Sequence, residues 1–150
     1  MLKEIVFILV QLFHKIIIWI KAVQKRHFHY FKPKKVQNLY TIEAMPGLKQ
    51  EGSVVLSEAI ADIGGLSLCE SLYGKSTSAN WKDFYHTFAR HFYGSASRSL
   101  YSSTLFGDVH PFGKARVNPL LSNSEIFVNQ FELQEGDGMY IDNSKRVVIW

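Results

Sequence analysis

Residues 57–66, SEAIADIGGL, place two carboxylates, Glu58 and Asp62, four positions apart. In a helix, side chains at positions i and i+4 lie on the same face, one turn apart. The residues between and after them are almost all apolar, so we expect this face to be buried. Acidic side chains are rarely buried without a cation, a metal or hydrogen bonds, and packing alone therefore does not explain the pair.

The composition is that of one globular domain. The chain has 150 residues, of which 47% are hydrophobic and 20% charged, enough for a real core. Its net charge of +4 arises from basic residues crowded into positions 21–35, and the rest is close to balanced. We therefore expect no nucleic-acid partner. Cys69 is the only cysteine, which excludes an internal disulfide, and its leucine-rich surroundings predict a small buried apolar residue.

The first 35 residues differ from the rest of the chain. Residues 5–20, IVFILVQLFHKIIIWI, form an apolar run that is short for a spanning helix, which needs about 20 apolar residues. Three interpretations stay open: a membrane anchor or interfacial helix, a helix packed on its own domain, and a non-native leader. We therefore separate an apolar and basic leader or membrane helix, residues 1–35, from a second unit, residues 36–150. The expected localisation is membrane-associated or extracytoplasmic.

Local signals predict four helices in the second unit. Ser57 is a plausible N-cap for a helix that runs to about Tyr73, after an extended approach over residues 53–56. Asn80 caps the next helix, which carries a stripe of aromatic residues at helical spacing. Residues 98–106 predict a third, shorter helix. The last helix is preceded by a capping box at residues 122–125 and ends near residue 131.

Residues 107–116, GDVHPFGKAR, form the second stretch whose side chains could act in catalysis or binding. One proline and two glycines predict a loop, and loops carry functional residues more often than the elements they connect. Asp108 is close enough in sequence to orient the imidazole of His110. Arg116 offers a planar set of donors for a carbonyl or a carboxylate. Without further support, an ordinary surface loop remains an open alternative.

Several separated segments resemble the neprilysin-type zinc endopeptidases, in the same order. The segment EAIADIGG, residues 58–65, is similar to the family signature E-N-x-A-D-x-G-G, and residues 45–48 resemble the proline-glycine turn that precedes it. The segment DVHP at residues 108–111, followed by Lys114 and Arg116, resembles a second family motif. The C-terminal segments EGDGMY and VIW also look like the end of such a protein. Together these segments cover residues 36–150.

The resemblance implies a fold and a role for each site residue. The fold would be mainly α, the helical C-terminal part of a gluzincin-type metallopeptidase domain with little sheet. The activity would be hydrolysis of a peptide substrate at one zinc ion, with Glu58 as a metal ligand and Asp62 holding a ligand histidine. His110 would stabilise the oxyanion, Asp108 would orient His110, and Arg116 would bind a substrate carbonyl. These groups would converge on one site.

The chain also departs from the family. The H-E-x-x-H helix, which supplies two zinc ligands and the general base, is missing, and no His-Glu pair occurs anywhere. We therefore expect a C-terminal fragment of a zinc metalloendopeptidase that is inactive alone, and whether the chain acts as an enzyme stays open. A complementing N-terminal peptidase piece would be one partner. The alternative is a non-catalytic, membrane-anchored interaction protein that reuses the fold.

Overall fold

The computed structural model describes residues 33–92, 94 and 97–149, with the backbone alone for Phe106. The expectations for residues 1–32, including the apolar run 5–20, lie outside the described residues. Within the described ranges, no helix is both long enough and apolar enough to cross a membrane.

A short helix and a hairpin open the described part. Helix α1, Pro33–Tyr40, crosses the predicted boundary between residues 35 and 36. Strands β1, Ile42–Met45, and β2, Leu48–Gln50, pair antiparallel, with Ile42 opposite Gln50. The predicted turn at Pro46-Gly47 joins the two strands, and Gly47 has a φ of +71°, which glycine adopts without strain.

Helix α2, Leu56–Tyr73, is the central element and carries both carboxylates of the signature. The predicted C-terminal end is confirmed, but two predictions for its start are wrong. Residues 52–55 form a turn instead of an extended segment, because the strand ended earlier, at Gln50. Consequently the helix begins at Leu56 after Val55, which makes no side-chain cap, and Ser57 lies inside the first turn.

Helix α3, Trp81–His91, confirms its predicted start. The Asn80 side chain accepts a hydrogen bond from the backbone N–H of Asp83. Its aromatic stripe faces the core, where Phe84 and Phe88 are each 1% exposed. The helix ends at His91.

Three further helices follow. Helix α4 is Arg98–Gly107, α5 is Gly113–Ser122, α6 is Glu125–Gln130, and a 3-10 turn spans Asn143–Lys145. The sequence did not predict α5, and the loop prediction is therefore wrong from Gly113 onward. The capping box was also placed two residues early. Ser124, not Ser122, caps α6 by accepting from the backbone N–H of Phe127, since Ser122 still belongs to α5.

The helices pack around α2. Helix α1 and helix α5 both contact α2 and each other, α6 packs on α3 and α5, and α4 lies against β2. The largest fully buried side chains of this core include Tyr40, Tyr85, Phe84, Phe88, Ile60 and Leu120. A mostly helical fold with one small hairpin is what the resemblance implied. Cys69 is 2% exposed, and burial raises the pKa of its thiol to about 12, as expected of a packed cysteine.

Candidate functional site

The two signature carboxylates are buried in the first half of α2. Glu58 is 3% exposed and Asp62 is fully buried. Their spacing puts them on one helix face, and the neighbouring Ala59, Ile60 and Ala61 are each 0% exposed. The expectation of a buried carboxylate pair is confirmed, and two charged groups at this depth require partners on other elements.

Asp62 forms an ion pair with a residue of α5. The Nη2 group of Arg116 donates a hydrogen bond to Oδ1 of Asp62 at a distance of 2.5 Å, and the arginine side chain is only 11% exposed. Arg116 lies in the first turns of α5 and not in a loop, so the helix fixes its backbone. A charge-assisted bond between two nearly dry groups is stronger than an exposed ion pair, because the surrounding dielectric is low.

His110 and Asp108 form a second pair in the loop between α4 and α5. Oδ1 of Asp108 lies 2.7 Å from Nδ1 of His110 and also accepts from the histidine backbone N–H at 2.9 Å. These hydrogen bonds, the backbone one first, lower the pKa of the Asp108 carboxyl, which is therefore ionised at neutral pH. An ionised carboxylate only accepts, so Nδ1 carries the proton.

The two pairs meet through Glu58. Nε2 of His110 lies 3.9 Å from Oε2 of Glu58, although the imidazole side chain is 56% exposed and the glutamate side chain 4%. The structure thus brings Glu58, Asp62, Asp108, His110 and Arg116 to one site from α2, the α4–α5 loop and α5. A buried acceptor, an oriented imidazole and a fixed guanidinium can together hydrogen-bond to the polar groups of a ligand.

The donors in the described ranges do not make a complete zinc site. A catalytic zinc ion takes three protein ligands and keeps a fourth position open. Glu58 offers a suitable oxygen, but the described residues contain no group of three or more His, Cys, Asp or Glu side chains that could hold a metal. The chemistry that these residues can perform is therefore orientation and charge stabilisation.

Two buried polar groups near the site were missed by the sequence analysis. Tyr40 is fully buried, and burial raises the pKa of its phenol well above the usual range; the Asp62 carboxylate adds to this rise and Arg116 opposes it. Gln50 is 2% exposed and donates to the backbone carbonyl oxygens of Tyr40 and Ala115. The Tyr40 phenol is close enough to interact electrostatically with both members of the Asp62–Arg116 pair, and Gln50 contacts the backbone next to Arg116. No spacing in the sequence connects them to it.

A third buried acid, Glu70, lies eight residues after Asp62 in α2. Its Oε1 accepts hydrogen bonds from the hydroxyls of Tyr85 and Ser124, each with an oxygen–oxygen distance of 2.5 Å. Burial raises the pKa of the Glu70 carboxyl, and these two hydrogen bonds oppose the rise. Continuing the four-residue spacing beyond Asp62 would have found this residue. The cluster joins α2, α3 and α6 and is separate from the Glu58 site.

Comparisons with known proteins identify relatives of this chain. The model of Peptidase family M13 matches residues 13–147. The chain is 30% identical to the neutral endopeptidase of Lactobacillus helveticus over 102 residues, which are 68% of this chain and 16% of that protein. It is 31% identical over 99 residues to the neutral endopeptidase of Lactococcus lactis subsp. lactis (strain IL1403), covering 66% of this chain and 16% of that protein.

A solved structure shares the fold as well. PEPO from Lactobacillus rhamnosis HN001 (DR20) matches with a TM-score of 0.72 and 28% identity, over 79% of this chain and 19% of that chain. The chain thus spans about 16% of the length of the curated relatives it matches. Since the family model matches nearly all of the sequence, from residue 13 to residue 147, the chain belongs to peptidase family M13, the neprilysin-type peptidases.

Proposed function

We propose that this chain is the C-terminal helical part of a zinc metalloendopeptidase, which supplies one zinc ligand and the groups that bind and polarise a peptide substrate. The observation that carries the proposal is the 3.9 Å approach of His110 to the buried carboxylate of Glu58, with Asp108 behind the imidazole. A buried acid with one oxygen beside an oriented histidine is the arrangement that the family motifs imply.

Glu58 is the zinc ligand in this proposal. Its carboxylate is almost inaccessible to water, so it has few competing hydrogen bonds from solvent and is held by a well-packed helix. Zinc, when bound, supplies a Lewis acid and lowers the pKa of its water. No step through the metal follows from the residues of this chain alone.

His110 stabilises developing negative charge. Because Nδ1 carries a proton and donates a hydrogen bond to Asp108, Nε2 can donate a second hydrogen bond only when the imidazole is cationic. In that form it presents a charged donor beside Glu58, and a donor fixed before the reaction needs little reorganisation as charge develops. Asp108 is the residue that orients it.

Arg116 binds the substrate backbone. Nη2 is engaged by Asp62, and among the described residues Nη1 makes no hydrogen bond, so it is left for a substrate carbonyl oxygen. Asp62 then acts in two ways in the proposal: it fixes Arg116, and it orients a zinc-bound histidine supplied by another segment.

The isolated chain is inactive in this proposal, because two zinc ligands and the general base are not among its residues. Activity requires a complementing piece that carries H-E-x-x-H. The test mixes this chain with the Lactobacillus helveticus neutral endopeptidase truncated before its matching 102 residues, adds zinc, and follows cleavage of a quenched fluorescent peptide. We expect cleavage only when both pieces are present.

The matched variants are Glu58→Gln and Glu135→Gln, the second of which lies on an exposed turn. Glu58→Gln should abolish the restored cleavage, and Glu135→Gln should leave it unchanged. Stoichiometric zinc together with cleavage by the pure chain would contradict the inactive-alone part of the proposal. Restored cleavage that survives Glu58→Gln would contradict the role of Glu58.

A further inference from the structure

The guanidinium of Arg116 is restrained by an aromatic ring as well as by a carboxylate. Its Cζ atom lies 4.6 Å from the centroid of the Phe92 ring, and Nη2 donates to Asp62 from the edge of the same group. A cation within about 6 Å of a ring face is attracted by the quadrupole of the ring, and the attraction grows when the cation is desolvated. Arg116 meets this condition, since its side chain is 11% exposed.

The Phe92 ring is itself held in place. Phe92 is the C-cap residue that follows α3, and its ring centroid lies 5.1 Å from the ring of Phe88, which is 1% exposed. The neighbouring His91 ring meets it edge-on, also at 5.1 Å. The core of α3 therefore fixes the ring, and the guanidinium carbon of Arg116 lies over it.

These two restraints act on different motions. The carboxylate of Asp62 holds one edge of the guanidinium but leaves the plane free to tilt about that edge. The Phe92 ring, whose centroid lies 4.6 Å from Cζ, opposes the tilt, because tilting moves charge away from the ring. With both restraints in place, Nη1 has a fixed direction.

We propose that Phe92 is a positioning residue, whose ring holds Arg116 in the orientation from which Nη1 binds the substrate. The substrate part of this inference rests on the proposed function. The effect of the ring on Arg116 does not, and the two are separable by experiment.

The first test is NMR spectroscopy of the full 150-residue chain labelled in arginine, with Arg116→Lys used to assign the signals. In the wild type, the ring current of Phe92 should shift the δ-methylene and Nε–H signals of Arg116 upfield. Phe92→Leu should move these signals toward random-coil positions, whereas Phe92→Trp, which keeps an aromatic face, should keep them shifted.

Phe131→Leu is the matched control. Phe131 is the C-cap residue of α6, as Phe92 is of α3, and its ring faces Lys82 with the Nζ atom 5.9 Å from the centroid. This variant should leave the Arg116 signals unchanged. Arg116 signals that stay at their wild-type positions in Phe92→Leu would overturn the proposal. If Phe92→Leu does not fold, the nuclear Overhauser effects between the Phe92 ring and the Arg116 methylenes decide, and their absence overturns it.

The second test uses the complemented enzyme. Phe92→Leu should raise KM several-fold more than it lowers kcat, and Phe92→Trp should restore the wild-type KM. An unchanged KM in Phe92→Leu would overturn the positioning role. Loss of activity in every mixture, the wild type included, would contradict the proposed function, and the NMR shifts would still decide the effect of Phe92 on Arg116.

Discussion

Arg116 of α5 donates from Nη2 to Oδ1 of Asp62 in α2, a bond that joins residues 54 positions apart in the chain. Neither group has much contact with solvent, since the side chains are 11% and 0% exposed. The pair therefore fixes the angle between the helix that carries Glu58 and the helix that follows His110. The stability of the fold and the geometry of the site depend on the same contact.

Removing the arginine should destabilise the protein strongly. Arg116→Ala removes one partner of a buried ion pair, a change that typically costs about 3–5 kcal/mol. The measurement is urea denaturation followed by far-ultraviolet circular dichroism. Arg98→Ala is the control, because Arg98 makes an exposed hydrogen bond to the carbonyl of Pro46. A loss for Arg116→Ala no larger than that for the control would contradict the buried ion pair.

The buried Glu70 should make stability fall as the pH rises. Its ordinary pKa is 4.5, and burial raises the pKa of this carboxyl in the folded state. At pH values between the unfolded-state pKa and the higher folded-state pKa, the folded state therefore binds more protons than the unfolded state. The contribution is fully present below pH 4.5 and is lost as the pH passes through the folded-state value.

Glu70→Gln should remove this part of the pH dependence. Unfolding free energies measured from pH 4 to 8 should decline less steeply for the variant than for the wild type. The exposed Glu135→Gln should follow the wild-type curve. Equal slopes for Glu70→Gln and the wild type would show that the pKa of Glu70 is not raised.

Gly52 should not tolerate a side chain. A Cβ atom at this position would lie 2.0 Å from the backbone carbonyl oxygen of Gln37, in α1. The backbone N–H of Gly52 also donates to the hydroxyl of Thr41, which in turn donates to that carbonyl. Gly52→Ala should therefore cost about 1–3 kcal/mol, the usual cost of forcing a backbone shift in a packed site.

Gly138→Ala is the control for this prediction, since a Cβ atom there would meet nothing within 4 Å. Thermal unfolding of the two variants should differ clearly. A melting temperature of Gly52→Ala equal to that of Gly138→Ala would mean that α1 does not pack on this turn.

Ser57 and Asn80 provide a test of how α2 and α3 begin. Asn80→Ala should destabilise by about 0.5–2 kcal/mol, because its side chain satisfies the backbone N–H of Asp83. Ser57→Ala should cost nearly nothing, because Ser57 lies inside the first turn of α2 and alanine is the better helix former. Chemical denaturation of both variants checks this, and a larger loss for Ser57→Ala would contradict the observed start of α2.

Local patterns predicted some elements well. Asn80 followed by an aromatic stripe is a signal contained within one helix, so the sequence was sufficient for α3. Helix α5 was missed for the opposite reason. Gly113 and Pro119 are residues that usually interrupt helices, and here α5 starts at the first and accommodates the second. Packing of Ala115 and Leu120, which are 0% and 1% exposed, outweighs these local preferences.

The sequence predicted only those site residues that lie in a recognisable motif. Glu58 and Asp62 were singled out by their spacing, and Asp108, His110 and Arg116 by their predicted loop. The resemblance added their roles, and the structure brings all five together. Two residues that interact with the site, Tyr40 and Phe92, belong to no motif of the family. Their roles depend on contacts between distant elements, and spacing along the chain contains no information about such contacts.

The most direct test of the account is a zinc-edge anomalous diffraction experiment on crystals of this chain mixed with the complementing endopeptidase piece. The account predicts one zinc peak about 2.0–2.2 Å from a carboxylate oxygen of Glu58, the usual zinc–carboxylate distance, with His110 beside it. A zinc ion bound by the mixed pieces at a place remote from Glu58 would contradict it.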